Sequence, residues 1–244
     1  MDIQIFKTKD DLNRAFTEKV KEVILSKGKK EVVTIALSGG STPKSLFDYW
    51  SQLPAGEINW NRFRFFWGDE RCVPPTDDES NYKMTKEHLF DFIPVSNENI
   101  FRIEGESDPE SEAERYGELL NEVLETTNGV PSFDILMLGM GDDGHTASIF
   151  PHEIFSWYSP HNCVVAIHPV SGQQRVTLSG KVINAAKNIF FLVTGDNKAE
   201  KVKEIIEQPD EAREKYPAAL VQPESGNLHW LLDDSAAKLL TTSR

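Results

Sequence analysis

One histidine lies among glycines and aspartates, in the segment Gly139-Met140-Gly141-Asp142-Asp143-Gly144-His145. Histidine titrates near neutral pH, so His145 is a natural proton carrier for acid–base chemistry. A nearby carboxylate could fix its tautomer, and Asp143 and Asp69 are the two candidates. A lone histidine at the start of a helix is most often structural, but the glycine and aspartate neighbours of His145 favour a catalytic role.

The same segment contains the pattern G-x-G-x-x-G, which is typical of a dinucleotide site when it follows a strand and opens a helix. Two features argue against such a site. Asp142 and Asp143 would place two negative charges where a pyrophosphate should lie. The next predicted strand, Cys163–Ile167, ends without the acidic residue that would bind a ribose. We therefore predict no nicotinamide cofactor.

Histidine and aspartate are also common metal ligands. However, His145 and His152 are seven residues apart with Pro151 between them, and the sequence has no H-x-x-x-H pair. We therefore predict a metal-independent site with no cofactor. The other four histidines lack a supporting constellation and are interpreted as structural or exposed: His88, His161, His168 and His229.

A glycine-rich segment could bind a phosphate, because glycine lets the backbone approach a ligand and a helix start presents free N–H groups. The segment reads Ser38-Gly39-Gly40-Ser41-Thr42-Pro43. Thr42 is predicted as the helix N-cap and Pro43 as the first helical residue. An ordinary tight turn between strand and helix is the alternative.

Charged residues follow another apolar strand, in the segment Gly68-Asp69-Glu70-Arg71. Arg71 could bind a phosphate through two parallel hydrogen bonds. Asp69 could orient the base or hold a sugar hydroxyl. A solvated loop with a surface ion pair is the alternative.

The chain carries 26 basic and 39 acidic residues, for a net charge of −13. Such an acidic chain disfavours nucleic acid and anionic membranes as partners. An anionic substrate would therefore require a local cluster of cations, which Arg71, Arg175 and Lys198 could supply together. Each of these residues alone would most often be a surface charge.

Two cysteines, Cys72 and Cys163, cannot form a disulfide framework and fit no zinc motif. Arg71 could lower the pKa of the neighbouring Cys72 thiol, which leaves a catalytic thiol as a minor alternative. The sequence begins without a signal-peptide pattern and has no apolar run of membrane-spanning length. We therefore predict a cytoplasmic protein.

Strands and helices alternate along the chain, which predicts an α/β fold with a mostly parallel sheet covered on both faces. We find no linker and no repeat, so one domain over 1–244 is the simplest organisation. The predicted helices cover 10–27, 81–92, 109–126 and 197–207, with another from Pro43 and a last turn at 236–240. The predicted strands cover 32–37, 63–67, 99–103, 133–138, 163–167, 189–193 and 228–232.

Ligands of open α/β sheets bind at the carboxyl ends of the strands. Four segments rich in glycine or charge follow such ends: 38–43, 68–71, 139–145 and 194–198. If their strands are neighbours, the four segments converge on one crevice.

Three motifs in this order resemble the 6-phosphogluconolactonases: Leu37-Ser38-Gly39-Gly40-Ser41-Thr42-Pro43, Trp67-Gly68-Asp69-Glu70-Arg71 with Asn81-Tyr82, and Gly139 to Ser148 with Phe150-Pro151. The resemblance runs from about residue 5 to residue 240. It implies the modified Rossmann-like α/β/α sandwich, three layers deep, that this family shares with glucosamine-6-phosphate deaminases.

The resemblance also implies a reaction. That reaction is hydrolysis of 6-phospho-D-glucono-1,5-lactone to 6-phosphogluconate, in the oxidative pentose phosphate pathway, without a metal or an organic cofactor. It implies that His145 is the principal acid–base residue, and that the loop 38–42, Arg71 and Lys198 hold the phosphate or the sugar. Water would attack C1, with His145 taking its proton or relaying one to the ring oxygen, and with backbone N–H groups and Arg71 stabilising the oxyanion.

One segment departs from the family pattern, which often has a proline-rich stretch before Arg-[Val/Ile]-Thr-Leu. Here residues 168–174 read His-Pro-Val-Ser-Gly-Gln-Gln before Arg175. Contact between Arg175 and a substrate is therefore left open.

Two other functions fit parts of the sequence. The related deaminases have Asp-Glu-Tyr where this chain has Asp-Glu-Arg, and they place a glutamate five residues after the histidine, where this chain has Phe150. A non-catalytic sugar-phosphate-binding protein would keep the phosphate loop and lose the histidine and aspartate pair, but His145, Asp143 and Asp69 are all present.

Overall fold

A computed structural model describes residues 1–29 and 31–241 of the chain. Its centre is a six-stranded sheet made of β1 Asp2–Phe6, β2 Val33–Leu37, β3 Phe63–Trp67, β7 Ile135–Leu138, β10 Ile189–Val193 and β11 Leu228–Asp233. The strands lie in the order β1-β11-β10-β7-β2-β3, and every neighbouring pair is parallel.

The inner strands are continuous apolar runs, as expected for parallel strands that are covered on both faces. Every residue of β2, β7 and β10 is buried. The sheet therefore lies inside the molecule, which confirms the predicted α/β fold with a mostly parallel sheet.

Two smaller sheets accompany it. β4 Asp69–Arg71, β9 Gln174–Leu178 and β8 Cys163–Ile167 form an antiparallel sheet in the order β4-β9-β8, while β5 Thr126–Thr127 pairs with β6 Val130–Pro131. Since only Gly68 separates the end of β3 from the start of β4, the small sheet extends from the carboxyl edge of the central sheet.

Seven α-helices in the described ranges surround the sheets: α1 Lys9–Ser26, α2 Ser41–Ser51, α3 Asn81–Thr85, α4 Pro109–Val123, α5 Gly180–Ala185, α6 Ala199–Glu207 and α7 Pro209–Arg213. A π-helix, Lys86–Phe90, continues α3. Short 3₁₀ helices cover Trp60–Arg62, Asn97–Asn99, Pro151–Tyr158, Asp196–Lys198 and Pro217–Leu220. No helix within the described ranges is both long and apolar enough to cross a membrane.

Several boundary predictions are wrong. Residues 99–103 do not form a strand, because the chain beside β3 makes only one isolated bridge, between Phe65 and Ile100. Residues 236–240 form turns rather than a helix. The predicted strand β8 exists but lies outside the central sheet, and β1, β4 and β9 were not predicted.

Thr42 is not the N-cap of α2, contrary to prediction. The helix starts at Ser41 and its N-cap is Gly40, whose φ of +102° suits glycine. The Thr42 hydroxyl instead lies 2.7 Å from the Thr194 hydroxyl, in a buried contact that links the start of α2 to the end of β10.

At the opposite, amino-terminal edge of the sheet, Asp134 joins β2 to β7. Its carboxylate accepts hydrogen bonds from the Thr34 amide at 2.9 Å and from Lys187 Nζ at 3.0 Å, and it pairs with Lys27. Burial alone would raise the pKa of Asp134, but the hydrogen bonds from Lys27, Thr34 and Lys187 outweigh it and lower the pKa. The ionised carboxylate therefore stabilises the pairing of these strands.

We expect Asp134→Ala to lower the free energy of unfolding by about 2–3 kcal/mol, since it leaves the buried Thr34 amide without its acceptor. Urea denaturation monitored by circular dichroism measures this. Asp210→Ala is the matched control, because it removes only an exposed pair with Arg213 and should change stability little. Equal effects of the two variants would contradict this role of Asp134.

Candidate active site

The carboxyl ends of four neighbouring strands meet at one edge of the sheet. β2 and β3 pair in register up to Leu37 and Trp67, and β7 lies between β2 and β10. The four segments predicted to converge therefore do so. They line one pocket of about 220 Å³. The lining residues are Ser38, Gly39, Gly40, Asp69, Arg71, Asn81, Gly139, Met140, Gly141, Asp142, His145, Ala147, Arg175 and Lys198.

Three of the predicted site residues lie just outside this lining. Ser41 is exposed at the start of α2, and Thr42 is buried beneath it. Asp143 contacts His145 rather than the pocket itself.

His145 and Asp143 form a close pair. His145 Nδ1 lies 2.6 Å from Asp143 Oδ1, and the same oxygen accepts from the His145 amide at 3.0 Å. Burial alone would raise the pKa of Asp143, but the hydrogen bonds and charge of His145 outweigh it and lower the pKa to about 2. An ionised carboxylate can only accept, so Nδ1 carries a proton and Nε2 of neutral His145 is free to accept one.

The glycines of the G-x-G-x-x-G segment shape the turn that makes this pair. A Cβ on Gly141 would lie 2.1 Å from His145 Nδ1, and Gly144 has a φ of +86°, with the Tyr216 ring against it. The Gly141 amide donates to the His145 carbonyl at 2.9 Å, which closes the turn. Turns and the 3₁₀ helix Pro151–Tyr158 follow it. The pattern therefore serves a tight turn around His145 and opens no helix for a pyrophosphate.

Asp69 is held by a different partner. Its Oδ2 accepts from Ser148 Oγ at 2.5 Å, and its carbonyl accepts from Asn81 Nδ2 at 2.9 Å. Asp143, rather than Asp69, is thus the carboxylate that fixes the tautomer of His145. Asp69 still lines the pocket, where its buried carboxylate has a fixed orientation.

Glu70 is structural rather than part of a solvated loop. Its carboxylate accepts from the backbone amides of Arg71, Asn81 and Tyr82, each at 2.8 Å. Burial raises the pKa of Glu70, although these amides counteract it. Glu70 therefore ties β4 to the start of α3 and so positions Asn81.

Asn81 was not predicted as a site residue. It lines the pocket, and a Cβ on Gly39 would lie 1.9 Å from its Oδ1. The absence of a side chain at Gly39 thus lets Asn81 approach the loop 38–42. The signal in the sequence was the motif Asn81-Tyr82 itself, but only the fold brings it against Gly39.

Two arginines face each other across the small sheet, where Arg71 and Arg175 are cross-strand partners. The Nε atom of each is buried and has no hydrogen-bond partner among residues 1–29 and 31–241. Burial and the neighbouring Arg71 charge lower the pKa of Arg175. Like charges opposite each other are unfavourable, so an anion bound between these side chains would stabilise the arrangement.

Phe150 packs beneath these groups. Its buried ring lies 4.7 Å from the His145 ring and 5.3 Å from the His168 ring, and the Arg175 guanidinium lies 5.6 Å from its centre. The Phe150 ring therefore supports both the histidine and one of the cations. His168, which was interpreted as structural or exposed, belongs to this cluster.

Two further groups that attract anions lie at or beside the same pocket. Gly40 provides no side-chain cap to α2, so the first amides of that helix, at Ser41 and Thr42, are available to an anion. Lys198 lies at the end of the 3₁₀ helix after β10 and makes no ion pair with any described residue. The predicted clustering of cations in an acidic chain is therefore present.

The Cys72 thiol is not activated. Burial, together with the charges of Glu70 and Glu112, raises the pKa of this thiol to about 11. The minor alternative, a thiol whose pKa Arg71 lowers, is therefore wrong, and Cys72 is a poor nucleophile.

A family model described as glucosamine-6-phosphate isomerases/6-phosphogluconolactonase matches residues 7–230. The chain belongs to this family. It is 48% identical to a 6-phosphogluconolactonase of Haemophilus influenzae over 85% of this chain and 88% of that one. It is 46% identical to a 6-phosphogluconolactonase of Treponema pallidum, over 74% of this chain and 75% of the other.

Solved structures of the glucosamine-6-phosphate isomerase/6-phosphogluconolactonase family have the same fold. The crystal structure of devB protein is 42% identical, with a TM-score of 0.90 over 98% of this chain and 99% of the other. The 6-phosphogluconolactonase of Trypanosoma brucei is 31% identical, with a TM-score of 0.86 over 98% of each chain. The resemblance read from the three sequence motifs is therefore confirmed.

We expect the interaction between Asp143 and His145 to contribute to stability above about pH 4 and to be lost as the pH falls towards 2. The folded pKa of about 2 lies below the usual value of 3.8, so the unfolded chain binds the proton first and acid favours unfolding. Urea denaturation of wild type and Asp143→Asn between pH 6 and pH 2 measures this. The difference between the two proteins should shrink over that range, and a constant difference would contradict the lowered pKa.

Proposed function

We propose that this protein hydrolyses 6-phospho-D-glucono-1,5-lactone to 6-phosphogluconate, the lactonase step of the oxidative pentose phosphate pathway. One observation carries the proposal. A histidine with a free Nε2 and a cluster of cations line the same small pocket of a chain whose net charge is −13. The 6-phosphogluconolactonases among its relatives support the same reaction.

A lactone is an activated ester, so the protein need not supply a nucleophile. Nε2 of His145 accepts a proton from water as the water oxygen attacks C1, and Asp143 stabilises the imidazolium that forms. The tetrahedral intermediate then expels the ring oxygen, which takes the proton back from Nε2. The products are a carboxylic acid and a sugar hydroxyl, and His145 is regenerated.

The cations divide into two roles. Arg71 and Arg175, whose Nε atoms have no hydrogen-bond partner in the described part of the chain, supply positive charge next to Asp69. Lys198 and the first amides of α2 supply a second positive region. We assign the phosphate to the region around Lys198 and the stabilisation of the oxyanion to Arg71. Asp69, whose orientation Ser148 fixes, accepts a hydrogen bond from a sugar hydroxyl.

The surroundings of His145 favour a lactonase over a deaminase. The position five residues beyond the histidine holds Phe150, whose ring packs against His145. A deaminase that opens a sugar ring would need an additional acid there. Metal independence, the absence of a cofactor, a cytoplasmic location, a lack of nucleic-acid partners and one-domain organisation stay predictions.

We expect purified protein to hydrolyse freshly made phosphogluconolactone and to leave glucosamine 6-phosphate unchanged. Acid release at constant pH measures hydrolysis of the lactone, and ammonia release measures deamination.

We expect His145→Gln, which removes the titrating nitrogen while keeping polarity, to lower kcat for the lactone by about 10²–10⁴, the usual contribution of general acid–base catalysis. His161→Gln is the matched control, because His161 is an exposed histidine outside this pocket.

Ammonia release without lactone hydrolysis would replace the proposed reaction by deamination. A folded His145→Gln variant with activity within a few-fold of wild type would remove His145 from the mechanism.

We expect Lys198→Ala to raise KM for the phosphorylated lactone about tenfold to hundredfold, because a charge-assisted contact contributes about 1.5–3 kcal/mol. Hydrolysis of unphosphorylated gluconolactone should change little, since that substrate lacks the anchored group. Steady-state kinetics with both substrates measures this. Lys203→Ala is the control, because Lys203 lies on α6 and pairs with Glu207 on the surface. Equal weakening of both substrates by Lys198→Ala would contradict the phosphate role.

A further inference from the structure

The backbone position of Lys198 depends on Gly195, which begins the turn after β10. Gly195 has a φ of +101°, which glycine adopts readily, and the 3₁₀ helix Asp196–Lys198 follows it directly. The Lys198 amide donates to the Gly195 carbonyl at 3.2 Å. A glycine turn of this kind has little intrinsic rigidity, so another group must hold it in place.

Asp233, the last residue of β11, holds the turn. Its two carboxylate oxygens accept from the Gly195 amide at 3.0 and 3.1 Å, and Oδ1 also accepts from the Ala236 amide at 2.7 Å. Asp233 is only 8% exposed. Val193 of β10 pairs with Leu232 of β11, so the strand register itself brings Asp233 beside Gly195.

A second buried contact fixes the other side of the turn. The Thr194 hydroxyl, one residue before Gly195, lies 2.7 Å from the Thr42 hydroxyl at the start of α2. The turn that carries Lys198 is therefore held between Asp233 and the start of α2, whose N-cap Gly40 lines the pocket.

We propose that Asp233 is a positioning residue for anion binding. By holding the Gly195 amide, it places Lys198 beside the first amides of α2, so that one anion contacts both. Asp233 is not among the residues that line the pocket, so it acts through Gly195. The proposal rests on the phosphate role of Lys198 proposed above.

The test compares Asp233→Ala with Asp234→Ala. Asp234 is the adjacent, exposed aspartate, so its variant controls for the loss of a negative charge in the same segment. Asp233→Ala should raise KM for the phosphorylated lactone about tenfold, the effect of losing one charge-assisted contact. It should leave kcat within about threefold of the wild-type value and leave hydrolysis of unphosphorylated gluconolactone unchanged. Asp234→Ala should match wild type with both substrates.

The double variant Asp233→Ala/Lys198→Ala isolates the coupling between the two residues. If Asp233 acts through Lys198, the double variant binds phosphate no more weakly than Lys198→Ala alone. Calorimetric titration with inorganic phosphate and with 6-phosphogluconate gives this comparison without turnover. A wild-type protein that binds these anions but hydrolyses no lactone would overturn the proposed reaction while still testing Asp233.

Fully additive effects of the two substitutions, or equal weakening of both lactones by Asp233→Ala, would overturn the positioning role. If Asp233→Ala does not fold, Asp233→Asn carries the test, because its amide offers Gly195 one neutral oxygen in place of two charged ones and so weakens the hydrogen bond without removing it. It should then raise KM a few-fold for the phosphorylated lactone only. An unchanged KM in that variant would also overturn the proposal.

Discussion

The in-register parallel pairing of β2, β3, β7 and β10 is the constraint on which the rest of the site depends. Each strand is an apolar run that ends where the sequence changes to glycine and charge. Because the strands are parallel neighbours, these changes all occur at one edge of the sheet. A chemical site is thus assembled from residues that are more than a hundred positions apart in sequence, such as Gly39 and His145.

The charges at that edge of the sheet differ from those of the chain as a whole. Carboxylates far outnumber cations along the whole chain, yet Arg71, Arg175 and Lys198 line one pocket. Two nearby carboxylates have fixed partners, since Asp143 pairs with His145 and Asp69 accepts from Ser148. Asp142, which also lines the pocket, is exposed to solvent. Three cations therefore face a ligand together with two carboxylates, of which Ser148 holds one in a fixed orientation.

Much of this could be predicted from the sequence because it depends on local pattern. Apolar runs predicted the inner strands, and the aspartates around His145 predicted its pairing with a carboxylate. The β4 strand was missed because its three residues, Asp69–Arg71, have no apolar alternation. It forms only because β9 lies beside it.

Other features depend on distant parts of the chain meeting. Threonine is a common N-cap residue, but the fold places the Thr194 hydroxyl within hydrogen-bond distance of the Thr42 hydroxyl. Cys72 adjoins an arginine in sequence, but burial decides its pKa. Asn81 and Asp233 become relevant only once Gly39 and Gly195 lie against them. Contacts of this kind leave no periodic signal in the sequence.

Two buried arginine nitrogens have no hydrogen-bond partner among the residues that the structure describes, and they also link binding to folding. Arg71 and Arg175 are forced together by the strand register, so part of the folding free energy is opposed by their mutual repulsion. A bound anion relieves that repulsion, and a ligand that binds only the folded chain stabilises it by about 2.7 kcal/mol at a hundred times its Kd. Any anion that binds beside these arginines therefore raises the thermal stability of the protein as its concentration rises.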